Sequence, residues 1–426
     1  MQHIVIIGGG FAGINLAKSL ANNKDFSITL VDRNNYNFFP PLLYQVATSY
    51  LETSSICYPF RRFLRGKKNV SFRMGEFKEL KPAENKVVLS NGELSYDHVV
   101  FAVGAETNFF GMENVKKNAL PMKTVNDALE LRNYFLQRME QATRTTDPVE
   151  RNKLLTIVIA GGGPTGVEVS GVLAEMKKKV MPKDYPELSG KGYESHIYLV
   201  DGGPKLLAPM SEKSQVDTLN ALTKMGVEVK LNSQVRDYKD DIVTFANGDT
   251  VATKTLVWAA GVTGSVFPGI PQEAYGRGRR LIVDEHNLVT GFSNVYAIGD
   301  TCFQTTDKNF PNGHPQVAQV AIQQGKLLAK NFAAGISGKP QKPFSYNDKG
   351  TMAIIGWNKA VADIPKPKLH FKGFIAWLMW LFIHLISLIN YRNKIRTLYN
   401  WTSAYFTRDQ TLRMIVRPDG EPPVKG

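Results

Sequence analysis

Residues 3–20 read HIVIIGGGFAGINLAKSL, and this stretch decides the fold of the N-terminal part of the chain. The apolar run before the glycines predicts a parallel strand that is covered on both faces. Gly8, Gly10 and Gly13 follow at the spacing G-x-G-x-x-G, and a helical pattern comes after them. In this order the glycines allow a tight turn, a close approach of the backbone to a pyrophosphate, and close packing of helix on strand. The free N–H groups at the helix start favour phosphate oxygens.

An acidic residue completes this pattern. Asp32 ends the next apolar run, residues 27–31, and follows Gly13 by 19 residues. A carboxylate at about this distance binds the ribose hydroxyls of an adenosine. Strand, glycine turn, helix and acid together favour a dinucleotide-binding fold over a glycine-rich turn without a ligand.

The opening pattern repeats further along the chain. Residues 157–173 read IVIAGGGPTGVEVSGVL and align with residues 4–20, IVIIGGGFAGINLAKSL. Asp201 ends the following strand as Asp32 does, and residues 256–261 (LVWAAG) resemble residues 99–104 (VVFAVG). Because four features recur in the same order, the sequence predicts an α/β protein with two doubly wound, Rossmann-like dinucleotide-binding domains. The glycines of the second motif are Gly161, Gly163 and Gly166.

The remaining chain carries weaker structural signals. Pro40-Pro41 is incompatible with a helix interior, so a short helix is expected only after it. Turn dipeptides between alternating apolar residues indicate a β-meander over residues 71–96. The other expectations are a helix over 125–141, a polar connector over 143–152, a helix from Val167 with a charged insertion over 177–194, a helix over 316–332 starting beside Pro315, and a short sheet over 350–370.

Composition and charge narrow the range of functions. The 426 residues are 43% hydrophobic and 21% charged, which suits a globular protein with a large core. Residues 366–426 hold ten Lys/Arg and three Asp/Glu, so half of the net charge of +14 lies in the last seventh of the chain. This tail mixes cations with aromatic and aliphatic residues, which favours an anionic membrane surface over nucleic acid. The first strand begins at His3, so no targeting peptide is expected.

The tail predicts two amphipathic helices. Residues 373–391 contain no Asp, Glu, Lys or Arg, and they just reach the length of a membrane span. A less apolar stripe nevertheless recurs every three to four residues, at Gly373, Trp377, Trp380, His384, Ser387 and Tyr391. A second amphipathic segment follows over 394–416. Two linked helices lying in the membrane interface fit this pattern better than a span or an oligomer contact.

Two nucleotide folds in one chain predict two bound nucleotides. A flavin and a nicotinamide held face to face, with hydride passing between them, are the obvious pair, although the residues alone do not say which fold holds which. Asp32 and Asp201 would repel a 2′-phosphate, so NADH is expected rather than NADPH. The seven histidines give no ligand spacing, and no metal is predicted.

Longer motifs point to one family. They are 39–48 (FPPLLYQVAT), 166–168 (GVE), 297–300 (AIGD), 318–323 (AQVAIQ) and the Trp/His/Arg-rich tail. In these motifs the chain resembles the type II NADH dehydrogenases, which are single-subunit, non-proton-pumping NADH:quinone oxidoreductases. The resemblance implies two domains of the disulfide-reductase-like flavoprotein type and a C-terminal amphipathic helical membrane anchor. The domain bounds would be 1–112 and 267–345 for FAD, 113–266 for NADH, and 346–426 for membrane association.

The resemblance also assigns roles to residues. Glu168 would handle charge or protons near the stacked rings, although a carboxylate in a first helical turn is otherwise explained by the helix dipole. Gln319 and Gln323 share one helix face and would offer amide donors to a quinone carbonyl, although the spacing alone suits solvent-facing residues. Asp300 would sit against the ribityl and pyrophosphate portion of FAD, unless it is only a turn carboxylate. Tyr44 and Gln45 would form part of a quinone tunnel wall. The predicted cofactor-binding residues are Gly8, Gly10, Phe11, Ala12, Gly13, Asp32, Arg33, Gly104, Asp300, Gly161, Gly163, Gly166, Asp201 and Gly261.

The implied mechanism has two steps. NADH reduces FAD, and the flavin passes two electrons to a membrane quinone, which takes up two protons. The enzyme would be a homodimer, bound peripherally through residues 370–416 to the cytoplasmic face of the cell membrane. Two other classes of flavoprotein remain, sulfide:quinone oxidoreductases and ferredoxin-reductase-like enzymes, and so does a non-catalytic nucleotide-binding membrane scaffold. The first would need reactive cysteines beside the flavin, and the chain offers only Cys57 and Cys302.

Overall fold

A computed structural model describes residues 1–188, 194–407 and 412–416. Short 3-10 turns lie at Pro40–Leu42, Pro82–Glu84, Pro186–Leu188, Gln272–Ala274, Arg277–Arg279 and Gly299–Thr301. The helices are α1 (Phe11–Leu20), α2 (Leu43–Ala47), α3 (Thr53–Ile56), α4 (Phe60–Phe63), α5 (Glu113–Asn118), α6 (Val125–Arg144), α7 (Pro148–Leu155), α8 (Pro164–Lys179), α9 (Met181–Asp184), α10 (Glu212–Met225), α11 (Ala318–Ile336), α12 (Gly373–Ser387) and α13 (Tyr391–Thr407).

The strands of the N-terminal half are β1 (Gln2–Ile7), β2 (Phe26–Asp32), β3 (Tyr36–Phe38), β4 (Cys57–Pro59), β5 (Val70–Met74), β6 (Phe77–Lys81), β7 (Lys86–Leu89), β8 (Gly92–Ser95), β9 (His98–Phe101), β10 (Glu106–Thr107), β11 (Leu120–Pro121), β12 (Ile157–Ala160) and β13 (Ile197–Val200). Those of the C-terminal half are β14 (Glu228–Lys230), β15 (Val235–Lys239), β16 (Ile242–Phe245), β17 (Thr250–Ala252), β18 (Thr255–Trp258), β19 (Val262–Thr263), β20 (Tyr275–Gly276), β21 (Arg280–Ile282), β22 (Val295–Ala297), β23 (Cys302–Phe303), β24 (Thr351–Gly356), β25 (Lys359–Pro365) and β26 (Lys368–Lys372).

The chain forms two compact units. The first unit comprises Met1–Phe38, Tyr58–Glu106 and Val262–Asp348, and the second comprises Phe39–Cys57, Thr107–Gly261 and Lys349–Gly426. The division into domains at residues 112, 266 and 345 stays a prediction.

The first unit is built on a five-stranded parallel sheet in the order β22-β9-β1-β2-β5. The central strand β1 pairs Ile7 with Val31 of β2, so Gly8 and Asp32 leave the sheet at the same edge. Apolar clusters cover both faces of this sheet, as the uninterrupted apolar runs predict. Helices α1 and α11 pack closely because Gly325 has no side chain. A Cβ at this position would lie 2.5 Å from the carbonyl oxygen of Ala12.

The second unit repeats this plan. Its parallel sheet has the order β11-β18-β12-β13-β14, with the glycine-motif strand β12 in the middle. The strand that ends in an aspartate lies on one side of it, and the strand that leads to Gly261 lies on the other. The predicted pair of doubly wound folds is therefore confirmed.

Each unit also carries an antiparallel sheet of three strands, β6-β7-β8 in the first and β15-β16-β17 in the second. The predicted meander over 71–96 is thus only partly right. Its first strand, β5, pairs parallel with β2 and belongs to the main sheet. The alternating pattern of a short strand did not show whether β5 belongs to the parallel main sheet or to the antiparallel sheet.

Several predicted helix boundaries were wrong, and each has a local cause. The short helix predicted after Pro40-Pro41 is, by contrast, confirmed as α2, which follows a 3-10 turn that Pro40 opens. The supposed connector 143–152 contains the start of α7, whose cap Asp147 accepts the N–H of Val149 at 3.0 Å. Pro164 starts α8 three residues before the predicted Val167. Helix α11 begins at Ala318 and not beside Pro315.

The C-terminal part forms the predicted short sheet, β24-β25-β26, and two helices, α12 and α13. Within the described residues, no helix combines the length and the apolarity that crossing a membrane requires. Parts of the predicted insertion, residues 189–193, and of the second amphipathic segment, residues 408–411, lie outside the described residues.

Candidate active site

The first glycine turn has the geometry of a pyrophosphate cradle. Gly8 has φ +104°, and a Cβ there would lie 2.5 Å from the carbonyl oxygen of Ala102. A Cβ at Gly13 would lie 1.9 Å from the Gly8 carbonyl oxygen, so helix and turn touch through bare backbone. At Gly10 the nearest atom to an added Cβ is 3.9 Å away, which leaves open space before the helix start. Gly10, at the start of α1, provides no side-chain cap, and the N–H groups of a helix start favour phosphate oxygens.

Asp32 is tied to this turn. Its carboxylate accepts the N–H of Gly9 at 2.8 Å through Oδ2 and the N–H of Asn34 at 2.8 Å through Oδ1. Burial raises the pKa of Asp32, while these hydrogen bonds and the charge of Arg33 oppose the rise. A carboxylate has about four acceptor sites, so Asp32 can brace the turn and still accept ribose hydroxyls.

The second glycine turn reproduces the first. Gly161 has φ +115°, and a Cβ at Gly166 would lie 1.8 Å from the Gly161 carbonyl oxygen. Around Gly163 an added Cβ would meet nothing within 4 Å, and α8 has no side-chain cap. Asp201 accepts the N–H groups of Gly162 and Gly203, each at 2.6 Å. The residues of both turns therefore fit a dinucleotide.

The other predicted FAD contacts of the first unit lie at the same edge of its sheet. Gly104 follows β9 with φ +79° and open space where a Cβ would be. Asp300 follows β22 in a 3-10 turn, and its carbonyl accepts the amide of Gln316 at 3.1 Å. Phe11 and Ala12 begin α1, and the Ala12 methyl would be 3.2 Å from a Cβ at Gly299. In the second unit, a Cβ at Gly261 would lie 2.9 Å from the ring of Phe110.

Glu168 is a buried acid on α8, with 8% of its surface exposed. Burial raises its pKa well above the ordinary 4.5, and the nearby Ile354 backbone and Trp380 side chain only partly oppose this rise. Because α8 starts at Pro164, Glu168 lies beyond the first turn, and the helix-dipole explanation offered by the sequence is wrong.

The two predicted glutamines lie on α11 in the first unit and have different surroundings. Gln319 Oε1 is 3.4 Å from the Tyr346 hydroxyl, which donates to it. Gln323 donates to the carbonyl of Asn347 at 2.9 Å and accepts its N–H at 3.1 Å. Both side chains are half-buried. The amide of Gln323 is thus engaged with backbone, whereas Gln319 makes a weaker contact.

Gln324 was missed by the sequence analysis. It is fully buried and accepts the N–H of Gly299 at 2.7 Å, next to Asp300. Its amide nitrogen lies 3.2 Å from the sulfur of Cys302. The motif AQVAIQ stops one residue short of it, so only Gln323, the first glutamine of the Gln-Gln pair, drew attention.

A polar and aromatic pocket in the second unit is lined by Tyr44 and Gln45, which the sequence analysis had placed in a tunnel wall, and by residues that it had not named. It encloses about 540 Å³, including its mouth, and combines side chains of α2, α8, β24 and both C-terminal helices. Trp401 donates its indole N–H to Gln45 at 2.7 Å, and Gln45 donates to the Tyr44 hydroxyl at 2.9 Å. The lining residues are Tyr44, Gln45, Tyr50, Val172, Glu175, Ile354, Gly356, Trp357, Trp377, Leu381, Trp401, Ala404 and Tyr405.

Helix α12 turns Trp377, Trp380 and His384 of its less apolar stripe toward the protein, whereas Ser387 is exposed. Trp380 is fully buried and stacks on His384 with ring centroids 3.8 Å apart. Burial lowers the pKa of His384 to about 4, against the opposing effect of its hydrogen bond with the Trp380 carbonyl. Six large aliphatic and phenyl side chains of the helix are exposed instead. These are Phe374, Ile375, Leu378, Phe382, Ile383 and Ile386.

One group of side chains in the described ranges could converge on a cation, namely Asp284, Glu285 and His286. Asp284 Oδ1 already accepts the N–H groups of His286 at 2.8 Å and Leu288 at 2.9 Å. These bonds identify the group as a turn in which the carboxylate holds the backbone.

Two family models match the chain. Residues 2–325 match the pyridine nucleotide-disulphide oxidoreductase family, and residues 349–409 match the NDH2 C-terminal domain. Among solved structures, NDH2 of Plasmodium falciparum in complex with NADH superposes with a TM-score of 0.87 at 22% identity, covering 98% of this chain and 100% of that one. The sulfide:quinone oxidoreductase of Aquifex aeolicus gives 0.70 at 20% identity, over 97% and 92% of the two chains. At these low sequence identities the superpositions establish the fold alone.

Curated relatives are more similar in sequence. The type II NADH:quinone oxidoreductases NdhA and Ndh of Mycobacterium tuberculosis are 36% and 35% identical, over 96% and 95% of this chain and 88% of each relative. The type II NADH:quinone oxidoreductase of Haemophilus influenzae is 30% identical over 83% of this chain and 85% of its own length. With both family models and these near full-length matches, the chain belongs to the type II NADH:quinone oxidoreductases.

Proposed function

We propose that this chain oxidises NADH and reduces a membrane quinone by two-electron transfer through FAD, without pumping protons. The observation that carries this proposal is the pair of equivalent cradles, one in each unit. Each has a positive-φ glycine, an open glycine, a helix-contacting glycine and an aspartate that braces the turn. When bound, the flavin supplies the hydride acceptor and the electron donor that this reaction requires.

The first cradle would hold FAD and the second NADH. This assignment follows the order of the two motifs in the family. The residues assigned to FAD are Gly8, Gly10, Phe11, Ala12, Gly13, Asp32, Arg33, Gly104 and Asp300, and those assigned to NADH are Gly161, Gly163, Gly166, Asp201 and Gly261. The carboxylate of Asp201 would repel a 2′-phosphate, which supports a preference for NADH over NADPH.

Glu168 would move a proton during quinone reduction. A carboxyl whose pKa is raised by burial is protonated closer to neutral pH, where it can act as a general acid. Gln319 would donate its amide N–H to a quinone carbonyl. The engagement of Gln323 with Asn347 favours a supporting position for that side chain, which would hold the segment after α11 in place.

Helices α12 and α13 would bind the enzyme peripherally to the cytoplasmic face of the membrane. The exposed apolar surface of α12, with Ile395, Leu398 and Phe406 on α13, supports this proposal. Apolar side chains that point away from the protein gain free energy when they enter the acyl boundary. A homodimer formed through the same region is the alternative use of this surface.

The properties of the two thiols argue against a sulfide-oxidising reaction. Burial raises the pKa of Cys57 to about 12 and that of Cys302 to about 11. The nucleophile in thiol chemistry is the thiolate, and both groups are held as thiols at neutral pH. The cysteines therefore favour a structural role.

An anaerobic experiment with the purified flavoprotein tests the proposal. NADH is added while the flavin absorbance is followed, and a water-soluble quinone is added afterwards. Loss and then recovery of the oxidised flavin spectrum are expected. Loss without recovery would reject quinone as the acceptor, and no loss would reject the assignment of the second cradle to NADH.

A further inference from the structure

Helix α8 carries a second acidic residue on the face that bears Glu168. Glu175 follows Glu168 by seven residues, which is two turns and about 10 Å along the helix axis. Glu175 Oε1 accepts the N–H of Trp357 at 2.6 Å, just beyond the end of β24, and the Glu168 carboxyl meets the Ile354 backbone of the same strand. The helix lies against this strand so closely that a Cβ at Gly171 would meet the Ile355 carbonyl oxygen at 1.6 Å. The close packing of α8 on β24 therefore fixes the positions of both carboxyls.

The two acids differ in their access to water. Glu168 is buried, whereas Glu175 is half-buried and lines the pocket described above. Burial raises the pKa of Glu175, and the charges of Lys179 and Lys359 counteract part of that rise. Glu175 can therefore exchange protons with solvent near the pocket, and Glu168 needs an intermediary.

Tyr44 lies within the electrostatic reach of both acids. Burial is the main cause that raises the pKa of its hydroxyl, and the negative charges of Glu168 and Glu175 raise it further. The Tyr44 oxygen accepts a hydrogen bond from Gln45, so the hydroxyl proton is free to point to another acceptor. The pocket has room for water and the polar groups that ordered water needs.

We propose that Glu175 is the proton-loading carboxylate of this enzyme, and that it resupplies Glu168 through the Tyr44 hydroxyl and water in the pocket. This inference rests on the proposed function of Glu168 in quinone reduction. Conversion of NADH and a quinone into NAD⁺ and a quinol consumes one proton from solution, because NADH brings the other as part of its hydride. Glu175 donates its proton inward and becomes a carboxylate, and this carboxylate then takes up the next proton from solvent at the pocket.

The test substitution is Glu175→Gln, which keeps an acceptor for the Trp357 N–H and removes the titratable group. Flavin reduction by NADH should keep its wild-type rate, and reoxidation by quinone should fall by roughly tenfold or more, within the usual range for acid–base groups. In the wild type, reoxidation should slow as the pH rises through the pKa of Glu175, and this dependence should disappear in the variant. Glu175→Asp should restore part of the rate.

Two further measurements separate a proton relay from a loss of structure. The infrared C=O bands of the protonated carboxyls of Glu168 and Glu175 should titrate above the ordinary pH range of glutamate in the wild type, and only the contribution of Glu175 should be lost in Glu175→Gln. Glu113→Gln removes an exposed carboxylate of the second unit and should change neither half-reaction. Unchanged reoxidation and pH profile in Glu175→Gln, or equal slowing of both half-reactions, would overturn the relay. A wild-type flavin that quinone does not reoxidise would instead overturn the proposed function.

Discussion

At Gly166 a single added carbon would meet the carbonyl oxygen of Gly161 at 1.8 Å, whereas at Gly163 it would meet nothing within 4 Å. Gly166→Ala should therefore lower the free energy of unfolding by about 1–3 kcal/mol, since both partners are backbone. Gly163→Ala should cost less than about 1 kcal/mol, but it should raise the KM for NADH because the methyl occupies the approach to the pyrophosphate. Thermal melts and NADH titrations of the two variants check this contrast. Equal loss of stability in both would contradict it.

The two glutamines of α11 should respond differently to substitution. Gln319→Ala should raise the quinone KM roughly tenfold, the effect of losing about one hydrogen bond, and leave flavin reduction by NADH nearly intact. Gln323→Ala removes two hydrogen bonds to Asn347 and should lower the melting temperature more than it affects quinone. Stopped-flow traces of each half-reaction distinguish the two effects. Loss of flavin reduction in Gln319→Ala would show that the quinone site is misplaced.

Glu168 should make the stability of the protein depend on pH. Its pKa is higher in the folded protein than the ordinary 4.5 of an unfolded chain. Below about pH 4.5 Glu168 is neutral in both states and does not lower the free energy of unfolding. As the pH rises from there toward the folded pKa, the free energy of unfolding falls. Glu168→Gln should raise the melting temperature at neutral and alkaline pH, with little gain in acid, while slowing quinone reduction. A melting temperature that rises equally at every pH would reject ionisation as the cause.

At the residue scale, sequence reasoning found what short-range spacing encodes. The glycines of both turns were found because each backbone constraint acts within a few residues. Glu175 and Gln324 acquire their chemistry from burial by distant segments, and their neighbours along the chain do not indicate this. The first-turn explanation for Glu168 failed because Pro164 extends the helix backwards.

At the scale of single elements, α12 shows an arrangement opposite to that of a surface helix. Its indole and imidazole side chains pack inward, and most of its large aliphatic side chains point outward. The sequence stripe was recognised, but periodicity alone does not say which face meets the protein. That choice depends on the partners of Trp380, which include Tyr44 and Trp401.

Substitution on the outward face should weaken membrane binding. Phe382 is 64% exposed on α12, and Phe382→Glu should reduce binding to phospholipid vesicles at least tenfold, since burial of a phenyl group contributes about 1.5–3 kcal/mol. Val149→Glu is the control, because Val149 is equally exposed (65%) on α7. Co-sedimentation with vesicles measures both variants. Unchanged binding of Phe382→Glu would favour the use of this face as a contact between protomers.

Element boundaries were less predictable than element types. Proline was correctly treated as a breaker at Pro40, but Pro315 was taken as the start of α11, which begins at Ala318, and Pro164 was not recognised as the start of α8. Proline is compatible with any first helical turn and with the loop before it. The local sequence therefore leaves a helix start uncertain by two or three residues, and the cap interactions decide.

At the scale of the whole molecule, the internal repeat made the architecture predictable. The second parallel sheet repeats the first in strand order around its glycine motif, so one recognised motif predicted both. The C-terminal sheet and helices have no counterpart in the repeat, and only their composition pointed to a separate role.

The net charge of +14 should make vesicle binding depend on lipid charge and on salt. Binding to anionic vesicles should exceed binding to neutral vesicles, and added salt should remove the difference, because screening acts on charges and not on apolar burial. Titrations of both vesicle types at low and high ionic strength check this. Equal binding to both at low salt would assign attachment to the apolar face alone.

The outward apolar face of α12 also bears on how the protein can be handled. Side chains such as Ile375 and Phe382 form a patch that water does not wet well. When a cell overproduces the protein, the molecules that find no membrane surface would expose this patch. They would bind chaperones or aggregate into inclusion bodies. A mild detergent that covers the patch during lysis should therefore raise the recovered yield, and the specific activity per flavin should stay the same.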